Sequence, residues 1–144
     1  MLDLGRLLGS QGDTSTPQKF SIYLPDRDGK NGPIQTIGSW IDQAVVLMTE
    51  INGGCTKLPP AKGAWINSTT GSYVVEDTVV IYSYLLRPEL FEQRFEELVE
   101  FLHTFGRETQ QDAVMAEFSG WVDGEGYVNE AFFIPSASFA DPSL

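Results

Sequence analysis

The sequence predicts a single α+β domain whose strands and helices follow the order β-α-β-β-α-β. Two apolar stripes with helical spacing occur in the chain, one over residues 40–51 and one over residues 91–105. Each stripe lies between segments in which apolar and polar residues alternate, which is the pattern of a half-buried strand. This order favours two helices packed on one face of a four-stranded antiparallel sheet.

The first strand is predicted where Phe20, Ile22 and Leu24 alternate with more polar neighbours, and a turn-rich loop that begins at Pro25 ends it. The helix that follows stops at Asn52, because the next two residues are glycines, which accept the left-handed conformation after a helix. The apolar stripe of this helix consists of Trp40, Ala44, Leu47 and Ile51.

The second strand is predicted to be irregular and to lie at a sheet edge. Within residues 55–67, Pro59 and Pro60 cannot take part in a central hydrogen-bonded ladder. A hairpin turn at 67–71 leads into the strongest strand, over residues 73–86, which is rich in Val, Tyr, Thr and Ile.

The second helix is predicted to open at Pro88 and to end at Gly106. Its stripe consists of Phe91, Phe95, Leu98, Leu102 and Phe105. The last strand of the set spans residues 113–118, and a further hairpin around 123–126 adds a C-terminal extension. We expect one domain over residues 19–134, with a flexible N-terminal arm at 1–18 and a loose C-terminal tail at 135–144.

Composition excludes several classes of function. Lys and Arg number 9 and Asp and Glu number 20, so the net charge is −11. A field of this sign repels phosphate, which argues against binding to nucleic acids or to anionic membranes. The single cysteine rules out a disulfide within the chain, and no stretch reaches the roughly 20 apolar residues of a membrane span. We therefore expect a cytoplasmic protein.

A group of mostly aromatic side chains is expected on the sheet face that the helices leave open. Its members are Tyr23, Tyr82, Tyr84, Met115 and Glu117. Three interpretations remain open: the C-terminal segment of the chain covers this face, two copies pair through it as a homodimer, or loops close a ligand pocket over it. Tyrosine suits all three, because it combines a large apolar ring with a polar hydroxyl.

Carboxylates occur in two patterns. Glu76 and Glu117 are expected to share the open face, where a desolvated pair can do acid–base work, although charges at the sheet rim are the favoured interpretation. The second pattern is a stripe at helical spacing on the second helix, which we predict to face solvent. Its members are Glu89, Glu92, Glu96 and Glu100. The sequence contains no phosphate-cradling glycine pattern and no set of metal ligands, so we predict no catalytic residue, no metal and no cofactor.

Several turns and strand ends share their layout with other proteins: Gly63-Ala64-Trp65-Ile66-Asn67, Gly71, Val75-Glu76-Asp77, Gly106-Arg107-Glu108 and Gln111-Asp112-Ala113-Val114. Over roughly residues 20–120 this layout resembles that of small uncharacterised bacterial proteins with a ferredoxin-like domain. The resemblance implies a ferredoxin-like fold. It implies no activity and no site residues, because those relatives have no assigned function.

Three hypotheses about function follow. The first is a non-enzymatic module that dimerises or docks a protein partner through the open sheet face. The alternative is a small α+β enzyme or small-molecule binder with its pocket on the same face, using Tyr82, Tyr84 and Glu117. A further alternative is an acidic decoy, which presents the glutamate stripe to basic, nucleic-acid-binding proteins.

Overall fold

The computed structural model describes residues 4–9, 18–67 and 69–135 of the chain. Within these residues the fold is α+β, with two long helices and a six-stranded antiparallel sheet. The helices are α1 (Leu4–Leu7), α2 (Ile37–Asn52) and α3 (Pro88–Glu108). The strands are β1 (Lys19–Pro25), β2 (Thr56–Lys57), β3 (Ala61–Ile66), β4 (Tyr73–Tyr84), β5 (Ala113–Val122) and β6 (Gly126–Pro135).

The sheet follows the order β2-β4-β1-β5-β6, and β3 also pairs with β4. The expectation of four strands is therefore wrong in number, for two physical reasons. The pair Pro59-Pro60 interrupts the predicted second strand, so that β2 and β3 form two separate ladders on one side of β4. The C-terminal hairpin then adds β6 to the other edge of the sheet.

The hydrophobic core lies between the sheet and the two long helices. The predicted strand faces are confirmed, since Ile22 and Leu24 on β1 and Ile81 on β4 have no solvent-exposed surface. Their neighbours Tyr23 and Val80 face each other across the ladder on the opposite side of the sheet. The helices supply the rest of the core with Ala44, Met48, Ile51, Leu98, Leu102 and Phe105.

The predicted end of the first helix is confirmed. Gly53 follows Asn52 in the left-handed conformation, with φ of 86°, and its N–H donates to the carbonyl of Thr49. This is the backbone geometry that glycine adopts without a steric penalty.

The second helix begins at Pro88 as predicted but runs two residues past Gly106, to Glu108. Gly106 is buried against β5, and a Cβ at this position would lie 3.2 Å from a Val114 methyl group. Its lack of a side chain therefore allows close approach of helix and strand rather than termination. The chain turns only at Gln110, which has a φ of 55°.

The C-terminal hairpin is present, because β5 and β6 pair over their whole length. It continues the sheet sideways and does not fold back over the open face. Trp121 remains 56% exposed and Phe133 remains 70% exposed. Residues 136–144 of the predicted tail, and most of the predicted N-terminal arm, lie outside the described residues.

Neither long helix carries an apolar stretch of the length needed to cross a bilayer, and the same holds for the other described residues.

Candidate functional site

Strands β1 and β5 separate part of the way along the sheet. They pair from Lys19 opposite Ser119 as far as Ile22 opposite Ala116. Beyond Ile22, β1 stays paired with β4 as far as Pro25, whereas the start of β5 pairs only with β6. A gap therefore opens between the end of β1 and the start of β5.

A cavity of about 660 Å³ lies at this gap, on the face of the sheet that the helices leave open. Tyr23, Val80 and Met115 form part of its floor, while Trp65 reaches it from β3 and Phe133 from β6. The cavity thus extends across the sheet between the two edge regions. Its volume and largely apolar, aromatic lining are typical of sites for small organic ligands.

Two loops close the end of the gap. The side-chain amide of Gln111 donates a hydrogen bond to the carbonyl of Arg27 at 2.7 Å. Gly29 lies so near the other loop that a Cβ there would stand 1.8 Å from the carbonyl oxygen of Gln110. Gly29, Gln111 and Asp112 all line the cavity, so this loop contact forms part of its rim.

Glu76 is the half-buried carboxylate of the cavity. Burial raises the pKa of Glu76 above its ordinary value, and the negative charge of Asp26 raises it further. The neighbouring indole of Trp65 acts in the opposite direction and lowers the pKa. The result is a half-buried acceptor, which suits a cationic group or a hydrogen-bond donor of a ligand.

Tyr23 is fixed in the floor by a hydrogen bond from its hydroxyl to the carboxylate of Glu117. Burial, followed by this hydrogen bond and the negative charge of Glu117, raises the pKa of Tyr23 to about 12. The phenol therefore remains protonated at neutral pH. Its ring presents a fixed aromatic surface to the cavity.

The structure brings together only some of the predicted face residues. Tyr23 and Met115 line the cavity, and Glu117 acts on it through Tyr23. Tyr82 and Tyr84 lie further along the same face, with ring centroids 5.9 Å apart. These two tyrosines do not line the cavity.

The predicted sharing of one face by Glu76 and Glu117 does not produce a carboxylate pair. Glu117 lies opposite Ser21, and Ser21 lies opposite Tyr82. Tyr82 is six positions from Glu76 along β4, which corresponds to about 20 Å of strand. The two carboxylates are therefore too far apart to share a proton.

The glutamate stripe lies outside the cavity. Its members are exposed on α3, which packs against the other face of the sheet: Glu89, Glu92, Glu96 and Glu100. Among the residues that the structure describes, no group of three or more His, Cys, Asp or Glu side chains is arranged to hold a metal ion.

Sequence reasoning missed Trp65 and the polar loop residues Gln111 and Asp112 as parts of the site. Strand alternation at residues 63–66 was the available signal for Trp65, because its side chain falls on the same face as that of Glu76. The loop residues carried no such signal, since their place at the rim depends on a contact with a loop some 80 residues earlier in the chain.

No family model matches this chain, and no curated protein matches it. Two solved structures of a phage SAM lyase do match its fold. One is in complex with S-methyl-5'-thioadenosine and has a TM-score of 0.59 at 14% sequence identity. The other is in the apo state and has a TM-score of 0.58 at 17% identity. In both cases the alignment covers 88% of this chain and 95% of the lyase chain.

These matches correct the first hypothesis about function. The expectation of a non-enzymatic interaction or dimerisation module is wrong, because the structures that share this fold over nearly their whole length belong to an enzyme. They favour the alternative, a small α+β enzyme or small-molecule binder with a pocket on the open face. At these identities the likeness establishes the fold of the chain.

Proposed function

We propose that this chain binds S-adenosylmethionine in the cavity on the open sheet face and cleaves it to S-methyl-5'-thioadenosine. The observation that carries the proposal is the half-buried carboxylate of Glu76, which lines an aromatic cavity of about 660 Å³ together with Trp65. The fold shared with a SAM lyase that holds this nucleoside supports it.

The lining of the cavity suits an adenosine sulfonium. Trp65, Tyr23 and Phe133 offer ring surfaces that can pack against a purine or face a sulfonium cation. Glu76 can accept hydrogen bonds from an exocyclic amine or from ribose hydroxyls, or face the positive sulfur. Its half-buried position strengthens any of these contacts.

The chemistry requires little from the protein. When the bond between sulfur and Cγ of the amino-acid chain breaks, its electron pair moves to sulfur, and the leaving group is a neutral thioether. A lyase uses no water, so a carboxylate oxygen of the same molecule forms the new bond to Cγ as the S–Cγ bond breaks, and the amino-acid chain leaves as a lactone. Because positive charge on sulfur disappears during this step, the apolar rings that line the cavity favour the transition state over the cation.

We further infer that the arrangement of β1, α2, β3, β4, α3 and β5 is a ferredoxin-like unit enlarged by β6. The alternation of its strands and helices along the chain and the central position of β1 beside β4 and β5 support this inference.

The direct test is to incubate the purified protein with S-adenosylmethionine and to quantify S-methyl-5'-thioadenosine by chromatography. We expect product from the wild-type chain and a kcat/KM that falls about 10- to 100-fold in Glu76→Gln, since a hydrogen bond to a charged group is lost. Glu130→Gln makes the same chemical change at an exposed position of β6 and is expected to keep wild-type activity.

Absence of the thioadenosine product from wild-type protein would overturn the proposed reaction. Full activity of Glu76→Gln would instead show that the reaction takes place elsewhere on the molecule.

A further inference from the structure

Negatively charged side chains outnumber positively charged ones around the cavity. Glu76 and Asp112 line it, and Asp26 is close enough to act on Glu76. Among the described residues that line the cavity, Lys62 is the single cationic side chain. A ligand inside therefore meets negative potential on several sides.

Lys62 is directed away from the interior. Its ammonium group lies 2.5 Å from the carboxylate of Asp77, and its side chain is 77% exposed. Asp77 lies opposite Lys62 in the ladder of β3 and β4, so these two side chains share the sheet face opposite to that of Glu76. The Lys62 side chain is thus directed away from the cavity, and its charge is neutralised by Asp77.

An α-carboxylate would find no cationic partner among these lining side chains. Arg and Lys are the strongest donors to a carboxylate in proteins, and an anion placed beside other carboxylates is destabilised. A sulfonium group meets the opposite conditions, since both the aromatic rings and Glu76 attract positive charge.

We infer that the cavity recognises the nucleoside and the sulfonium charge of its ligand and not the amino-acid carboxylate. This inference rests on the proposed function and makes it more specific. The ligand class is then cationic alkylsulfonium nucleosides, including members that lack a carboxylate. The carboxylate of S-adenosylmethionine lies at the mouth of the cavity in contact with water.

Four probes separate the contributions of the ligand groups. S-adenosylmethionine and S-adenosylhomocysteine differ in the sulfonium charge, whereas S-adenosylmethionine and its decarboxylated form differ in the carboxylate. S-methyl-5'-thioadenosine lacks both charges and serves as the reference. Binding is read by stopped-flow quenching of tryptophan fluorescence before turnover, and Trp65→Phe assigns the signal to the cavity.

We expect decarboxylated S-adenosylmethionine to bind at least as tightly as S-adenosylmethionine. S-adenosylhomocysteine should bind about 3- to 30-fold more weakly, which is the range of a cation–aromatic contact. Glu76→Gln should reduce this preference for the sulfonium. In Lys62→Ala the ratio of affinities for S-adenosylmethionine and its decarboxylated form should not change.

A decarboxylated form that binds tenfold or more weakly than S-adenosylmethionine would overturn the inference and leave the proposed function intact. A loss of affinity in Lys62→Ala that is confined to S-adenosylmethionine would do the same. Failure of all four probes to bind would overturn the proposed function together with the inference.

Discussion

The pKa of the Tyr23 hydroxyl is changed by the groups that surround it. Its raised pKa of about 12 means that the folded state holds the phenolic proton more tightly than the unfolded chain, whose value is 10.0. The contribution of Tyr23 to folding stability is therefore fully present below pH 10.0 and is lost as the pH rises towards about 12. The cause is burial together with the carboxylate of Glu117, which would repel a phenolate.

We predict that one tyrosine of the native protein titrates late, with a pKa of about 12, when tyrosinate absorbance is followed against pH. Tyr23→Phe should remove this late step and destabilise the fold by about 1 kcal/mol, since Glu117 loses a hydrogen bond. Tyr127→Phe, at an exposed position of β6, is the matched control and should leave the late step in place. A late step that survives in Tyr23→Phe would contradict the assignment.

The sequence predicted part of the candidate site for a clear reason. Strand alternation repeats every two residues, so the side of Tyr23 and Met115 follows from the pattern of β1 and β5 alone. The contact between Trp65 and Glu76 depends instead on the register of β3 against β4. That register could not be predicted from the sequence, because the proline pair before β3 ends one ladder and a separate ladder begins after it.

At the scale of elements, the loops after β1 and α3 hold the gap between β1 and β5 closed at its end. Their contact depends on Gly29, where any side chain would collide with the carbonyl of Gln110. The amino-acid composition of neither loop predicts this contact. The helices and the last hairpin could be predicted, because their signals are local, whereas a contact between two distant loops could not.

We predict that Gly29→Ala destabilises the fold by about 1–3 kcal/mol and weakens ligand binding, because the two loops must move apart. Gly38→Ala is the control: it lies in the first turn of α2, and nothing lies within 4 Å of a Cβ built there. That substitution should be neutral or stabilise the helix by up to about 1 kcal/mol. Urea unfolding of the two variants decides the matter, and a Gly29→Ala protein as stable as wild type would show that the loops are free to separate.

At the scale of the whole molecule, the net charge of −11 acts against the compact state through self-repulsion. The same field attracts cationic ligands. Composition could show that the charge is negative, but it could not show which ligand or partner this charge attracts. An enzymatic function could be only an alternative hypothesis at the sequence level, because no motif indicates it and a fold alone does not determine a function.

We predict that added sodium chloride raises the midpoint of urea unfolding between about 0.01 M and 0.15 M, the range in which the Debye length falls from about 30 Å to about 8 Å. Screening of the excess carboxylates is the physical reason, and circular dichroism can follow the transition. A midpoint that falls over this range would mean that attractive ion pairs, such as that between Arg94 and Glu97, outweigh the repulsion.

The pairing of β1 with β5 ends at Ile22. Beyond this point, peptide groups of both strands still point along the plane of the sheet, but β1 and β5 no longer pair with each other. The segments 23–25 and 113–115 thus offer main-chain donors and acceptors on either side of a slot. A flat heterocycle that enters the slot can form hydrogen bonds with the main chains of both strands, as a paired strand would. Contacts of that kind involve no side chains, so alanine substitutions along these two segments would leave them in place.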